Sequence, residues 1–374
     1  MATTTAPAST IDTLVDATPA SRDRVVDFLR AVSIGVVVLW HWTFSITHWR
    51  DGSLRMPNPI DTVPGLWSLT WLLQVMPLFF LVGGYSNLAG WSSTPVAGAF
   101  WRKRFSRLLR PVAVYVGIWA VADLAWQASG GRSVLDWGLV VFVPLWFLGV
   151  YAGVVALVPL TARLHSWRPV ATLAVLVGGI AACDIARLGY DLGEVRVLGS
   201  VLVWVFCHQL GYFWRDGTLT PHGRAVALAG LGGLAALTTF GPYSHSMVAT
   251  RGEGVSNMSP TTACIAALAV FQLGVVLTIA PRLRGWLQRR SVWRSVVAAN
   301  GVAMTVFCWH MTALVGFIGL YQAAGFTLGS QATAGWWLAR PLWIAGPGLL
   351  LAGLVAVFAR VELPTRNLRS DGVG

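Results

Sequence analysis

Residues 27–42 read DFLRAVSIGVVVLWHW: a carboxylate and a guanidinium, ten mostly apolar residues, then an imidazole between two tryptophans. A helix rises about 1.5 Å and turns about 100° per residue, so Arg30 and His41 stand roughly 16 Å apart and within ~20° of one face. Polar groups at membrane depth face a protein interior or a water-filled cavity, because lipid offers them no partners. The pair therefore marks a cavity running from a membrane mouth to mid-depth. Asp27, three residues before Arg30, is spaced to pair with it and fix its rotamer.

Composition makes this helix a membrane span. The chain has 374 residues, of which 55% are hydrophobic and 11% charged, whereas about a quarter of a soluble domain is charged. Apolar runs long enough to cross about 30 Å of hydrocarbon fall at 31–48, 66–89, 108–127, 138–160, 169–187, 195–214, 223–241, 261–281, 297–322 and 337–359. The expected fold is all-α: a polytopic integral membrane protein of about ten transmembrane helices. Twenty of the basic residues fall on one side of these runs, in clusters at Arg22 to Arg30, Arg102 to Arg110, Arg163 to Arg168, Arg215 to Arg224, Arg282 to Arg294 and Arg360 to Arg369. Six fall on the other side (Arg50, Arg55, Arg132, Arg187, Arg196 and Arg251), and Arg340 lies inside the last run. By the positive-inside rule both termini are cytoplasmic. The net charge of +12 is then topology rather than a nucleic-acid surface. The clusters beginning at Arg102 and Arg282 exceed what orientation needs and suit an anionic cytosolic ligand.

Residues 1–22 are rich in Ala, Thr and Pro, lack a signal-peptide core and read as a disordered cytoplasmic tail. Residues 23–360 form one ten-helix membrane domain, and 361–374 a cytoplasmic C-terminal tail. There is no repeat of 20 to 50 residues. Gly83-Gly84 and Gly149-x-x-x-Gly153 are expected to permit close helix packing. The four cysteines lie in apolar runs without C-x-x-C spacing, implying neither a disulfide framework nor a zinc site.

The interior polar residues are His41, His208, His310, Asp123, Asp184 and Arg340. His41 alone is as readily a packing residue as a catalyst, and Arg30 on its face favours function. His310, in the run Phe307-Cys308-Trp309-His310, is a candidate for the same cavity. His208 reads as structural, and Asp123 and Asp184 as interfacial or ion-paired. The histidines lack i, i+3 or i, i+4 spacing and an accompanying carboxylate, so no metal is expected. Serine-hydrolase elbows, Walker loops and dinucleotide fingerprints are missing from the sequence. Three classes stay open: a membrane enzyme, a transporter or exporter of a small polar molecule, and a non-catalytic scaffold or sensor. The scaffold leaves Arg30 and His41 unexplained, and no inverted repeat supports a transporter.

Arg30, ten residues, then His41 resembles the R-x10-H signature of the acyltransferase 3 family, membrane O-acyltransferases of bacteria and some animals. Met76 to Tyr85 (MPLFFLVGGY) is similar to the family's second-helix segment, with Gly83 where Ser is common. Phe100 followed by Arg104-Phe105-Ser106-Arg107 resembles its R-x-x-R block. Leu145-Trp146-Phe147-Leu148 resembles the fourth-helix aromatic motif, with Pro144 where a His often stands. Asn300-Gly301 leading to Trp309-His310 resembles the late segment ending in His. In order, these segments cover nearly the whole chain.

The resemblance implies transfer of an acetyl or other short acyl group from cytoplasmic acyl-CoA, acetyl-CoA first, to a hydroxyl of a glycan, glycolipid or glycosylated metabolite. It makes His41 and Arg30 the catalytic pair and puts Arg104 and Arg107 on the CoA phosphates. His310, Asp27 and Trp146 are further candidates, and the partners are donor, acceptor and bilayer. A single lysine, Lys103, among 27 basic residues points to a GC-rich bacterial genome and hence a plasma membrane. Nothing in the pattern specifies an oligomer.

Overall fold

Ten helices are long and apolar enough to cross a bilayer: Arg24–Phe44, Ser68–Ser93, Ala97–Ala128, Leu139–Ala156, Pro169–Tyr190, Gly193–Arg215, Thr220–Phe240, Ala263–Leu287, Ala303–Ala323 and Arg340–Arg360. They are called spans one to ten. Each coincides with a predicted apolar run, and the computed structural model, which describes residues 10–249 and 255–362, bears out the all-α polytopic fold. Among the described residues the helices are joined by one hairpin of two three-residue strands, His48–Arg50 and Ser53–Arg55, and by an isolated bridge between Met258 and Thr261. The hairpin's turn, Asp51-Gly52, has positive φ at both residues, as a two-residue turn matched to strand twist requires.

Span three has 32 residues, about 48 Å of helix against about 30 Å of hydrocarbon. Its first turns, carrying Arg102 to Arg107, therefore extend past the apolar layer. Span two breaks at Gln74 and Val75, where side-chain amides replace lost helical bonds. Gln74 Oε1 accepts from the Met76 amide at 3.2 Å, and Gln272 donates to the Gln74 carbonyl at 2.8 Å. Such repair is obligatory where no water reaches the backbone.

Lipid is as apolar as leucine, so helices in it associate through close contact and buried polar pairs. Spans two and six do both. A Cβ at Gly84 would collide with the His208 carbonyl oxygen, and one at Gly211 with that of Leu81. Phe80 stacks on Trp204 at 4.6 Å, and the Asn87 amide donates to His208 Nε2 at 3.0 Å. Gly149 and Gly153 behave otherwise than expected: a Cβ on either meets nothing within 4 Å.

The N-terminal segment is also a correction. Within residues 1–22, Thr10–Asp16 is helical rather than disordered. Asp12 and Asp16, one helical turn apart, pair with Arg290 and Arg294 of an amphipathic helix, Arg290–Gly301, while Trp293 donates to Thr18 Oγ1 at 2.9 Å. The cations that order this segment lie far along the chain, which is why local composition misread it. The same amphipathic helix delays the start of span nine from residue 297 to Ala303. Residues 1–9, most of the 361–374 tail, and Arg251, Arg366 and Arg369 lie outside the described residues.

At the opposite end, the loops tie to each other. Asn58 donates to the Ala249 carbonyl at 2.9 Å and Trp71 to that of His245 at 2.8 Å. Asp123 accepts from the Val134 amide. Asp184 accepts from Tyr243 Oη at 2.9 Å and the Ala263 amide at 2.8 Å. Burial first, then the Asp184 carboxylate, pushes the Tyr243 hydroxyl above its ordinary pKa.

The glycine contacts give a test of the packing. Gly84→Val is expected to lower stability by about 1–3 kcal/mol through overpacking, read as the thermal midpoint in detergent. Gly149→Ala should change it by less than about 0.5 kcal/mol; matching midpoints for the two variants would refute the assignment.

Candidate active site

Span one brings its polar residues to two neighbouring cavities. At the basic end, Arg30 donates from Nη1 to Asp27 Oδ1 at 3.1 Å and from Nη2 to Ser86 Oγ of span two at 2.9 Å. The other Asp27 oxygen accepts from Arg22 Nε, and the Asn300 amide donates to the Asp27 carbonyl at 2.9 Å. Asp27 is only 5% exposed, and a buried carboxylate is stable only when so paired. Beside it lies a cavity of 590 Å³ lined by Arg22, Asp27, Arg30, Arg107, Arg110 and Asn300, with Ile34, Phe79 and Met304 on its deeper wall. Four guanidiniums face one carboxylate, so the chamber favours an anion.

Arg104 stands beside this cavity, its guanidinium held on the same Ser86 that Arg30 bonds. Its Nη2 donates to the Ser86 carbonyl at 2.6 Å, its guanidinium sits 5.6 Å over Phe100, and it covers Gly90. At about 100° per residue Arg104 is turned about 60° from Arg107 and about 120° from Arg110. Arg110 lines the cavity itself.

At mid-depth, His41 Nδ1 lies 2.8 Å from His310 Nε2 of span nine, with the rings 6° from coplanar. His310 Nδ1 lies 2.7 Å from the Phe307 carbonyl oxygen, which can only accept, so His310 carries its proton on Nδ1. In the neutral ring Nε2 is then an acceptor, and His41 must donate from Nδ1. The lone pair of His41 is thereby assigned to Nε2. Trp42 adds a clamp, donating to the His310 carbonyl at 3.1 Å. Among the described residues no carboxylate bonds to either imidazole, and His310 takes the orienting place a carboxylate often holds.

His41 lines a second cavity of 630 Å³ with Trp40, Trp137, Pro144, Trp146 and Phe147, and with Asn58 and Asp136 toward the end away from the basic clusters. The two chambers meet end to end. Span one contributes Ile34 to the inner and Val37 to the outer, span two Phe79 and Met76, span nine Met304 and Phe307. Each pair is three residues apart, about 4.5 Å of helical rise and less than one turn. The partition between the chambers is aromatic: Phe147 meets Phe79 at 5.0 Å and Phe307 at 5.6 Å, and Phe307 meets the His310 ring at 6.0 Å.

The family model for acyltransferase 3, described as an acyltransferase domain, matches residues 23–359. The chain belongs to the acyltransferase 3 family. It is a multi-pass membrane acyltransferase. No curated protein and no solved structure matches it.

In this acyltransferase 3 protein the structure brings together His41 and Trp146 at the outer chamber, with His310 buried behind His41, and Arg30, Asp27 and Arg107 at the inner one. Arg22 and Ser86 were not singled out as site candidates from the sequence, and Arg110, Phe147 and Phe307 were named there only within their motifs. Ser86 had a signal, lying seven residues after Phe79 and hence within ~20° of its face. His208, paired to Asn87 inside the bundle, has the structural place expected of it.

The tautomer assignment is open to isotope-labelled histidine NMR. His41 should show a protonated Nδ1 and an unprotonated Nε2, and His310→Ala should abolish that preference. Retention of a single fixed His41 tautomer in the variant would show that another group orients it.

Proposed function

We propose that this acyltransferase moves an acetyl or other short acyl group from cytoplasmic acyl-CoA, acetyl-CoA foremost, to a hydroxyl of a glycan, glycolipid or glycosylated metabolite at the outer face of a bacterial plasma membrane. One observation carries the reading: an arginine-lined inner chamber and a tryptophan-lined outer chamber that His41 lines take their walls from neighbouring turns of spans one, two and nine.

Arg22, Arg30, Arg107 and Arg110 bind the phosphates of the donor at the basic, cytoplasmic end, since a planar guanidinium can hold two phosphate oxygens at once. The extended pantetheine arm crosses the roughly 16 Å from Arg30 to His41 past Phe79, Phe147 and Phe307. In the outer chamber, Trp40, Trp137 and Trp146 offer the apolar faces on which a sugar ring can rest. His41 Nε2 takes the proton of the acceptor hydroxyl as its oxygen attacks the thioester carbonyl. The carbon–sulfur bond breaks, and CoA thiolate leaves and recovers the proton. His310 steadies the imidazolium by accepting from its Nδ1–H throughout. The aromatic partition between the chambers favours transfer over transport, because only a slender acyl arm needs to pass it.

His41→Ala is expected to abolish acyl transfer, whereas His310→Ala lowers kcat by about 10²-fold with both KM values little changed. Wild-type turnover by His41→Ala would refute the reading. In a thermal-shift titration with acetyl-CoA, Arg107→Ala and Arg110→Ala should each weaken binding about tenfold, or about 1.4 kcal/mol, and protein indifferent to acetyl-CoA would reject the donor. Phe147→Ala should raise hydrolysis of acetyl-CoA in the absence of acceptor by opening the partition to water, and unchanged hydrolysis would deny Phe147 that role.

A further inference from the structure

Arg340 opens span ten with no ion-pair partner among the described residues, and it is 5% exposed. Its Nε donates to the Trp336 carbonyl at 2.9 Å, while its buried Nη1 has no hydrogen-bond partner. The guanidinium carbon lies 3.7 Å from the Trp336 ring centre and 5.0 Å from that of Trp343. Two indole faces offset part of the cost of burying a cation, yet a charged donor left unpaired still costs more than a neutral one. Such a group is retained where something supplies the missing partner.

The surroundings point to what that is. Arg340 lines a cavity of 380 Å³ at the end of the bundle away from the basic clusters, with Thr47, Tyr321, Ser330, Gln331 and Thr333. No Asp or Glu lines it, and every polar neighbour is a hydroxyl or an amide. The cavity adjoins the His41 chamber. Phe44 and Ser45 line the larger space and Thr47 the smaller, so their walls are about 7 Å apart along extended chain. Phe44 meets Trp337 at 6.0 Å, and Trp337 meets Trp336 at 4.7 Å.

We infer that this cavity is an outer subsite for an oxyanion, a carboxylate or phosphate ester, carried by the acceptor whose hydroxyl is presented to His41. The acceptor is thereby an acidic carbohydrate, its charge held by Arg340 and its hydroxyls by the Thr, Ser and Gln side chains. This inference rests on the acyl-transfer reading for its purpose, but the subsite is tested without turnover.

The test is calorimetric titration of the whole protein, in nanodiscs of phosphatidylcholine, with glucuronate, glucose 6-phosphate and glucose. At least one anionic sugar should bind at least tenfold tighter than glucose. Arg340→Gln should remove that preference. So should Gln331→Glu, which places a like charge at the exposed rim and keeps the test valid if the buried Arg340 variant does not fold. Both variants should keep the acetyl-CoA thermal shift. Equal affinity for all three sugars, or a preference surviving in Gln331→Glu, overturns the proposal. A preference abolished when phosphatidylglycerol is added to the discs overturns it too, by assigning the site to a lipid headgroup. Loss of the acetyl-CoA shift with the sugar preference intact would instead reject the donor reading and leave the subsite standing.

Discussion

A carbonyl oxygen cannot donate a hydrogen bond, and the placement of one such atom governs the site. Phe307 turns its carbonyl to His310 one helical turn later, which decides the proton on His310, then the proton on His41, and so leaves His41 Nε2 open toward the outer chamber. Two imidazoles 2.8 Å apart would otherwise share several proton arrangements. Here the backbone of span nine selects one for the neutral pair.

The same dependence on helix phase organises the cavities. Three spans each present one side chain to the inner chamber and another, three residues away, to the outer. This repetition places an aromatic partition at a common depth without any dedicated loop. The close contact of Gly84 with span six and of Gly211 with span two keeps the supporting helices fixed.

Much of this was legible in the amino-acid order. The ten spans follow from helix length and the cost of charge in lipid, whereas Arg30 and His41, expected in one cavity, line two. Asp27 was legible because its partner is three residues away. Which arginines of the 102–110 run line the cavity was not legible, because a motif gives residue type and spacing but not the direction of a helix face. The N-terminal helix was missed because its partners, Arg290 and Arg294, are nearly the whole chain away.

By itself, then, the sequence determined what sits at each depth, since hydrophobicity and helical rise are local properties of consecutive residues. Only the tertiary structure decided which residues meet. The His41–His310 bond, the partition built by Phe79, Phe147 and Phe307, and the solitary Arg340 between two tryptophans all join or isolate groups through the rotation of one helix against another. That rotation is set by packing across the bundle.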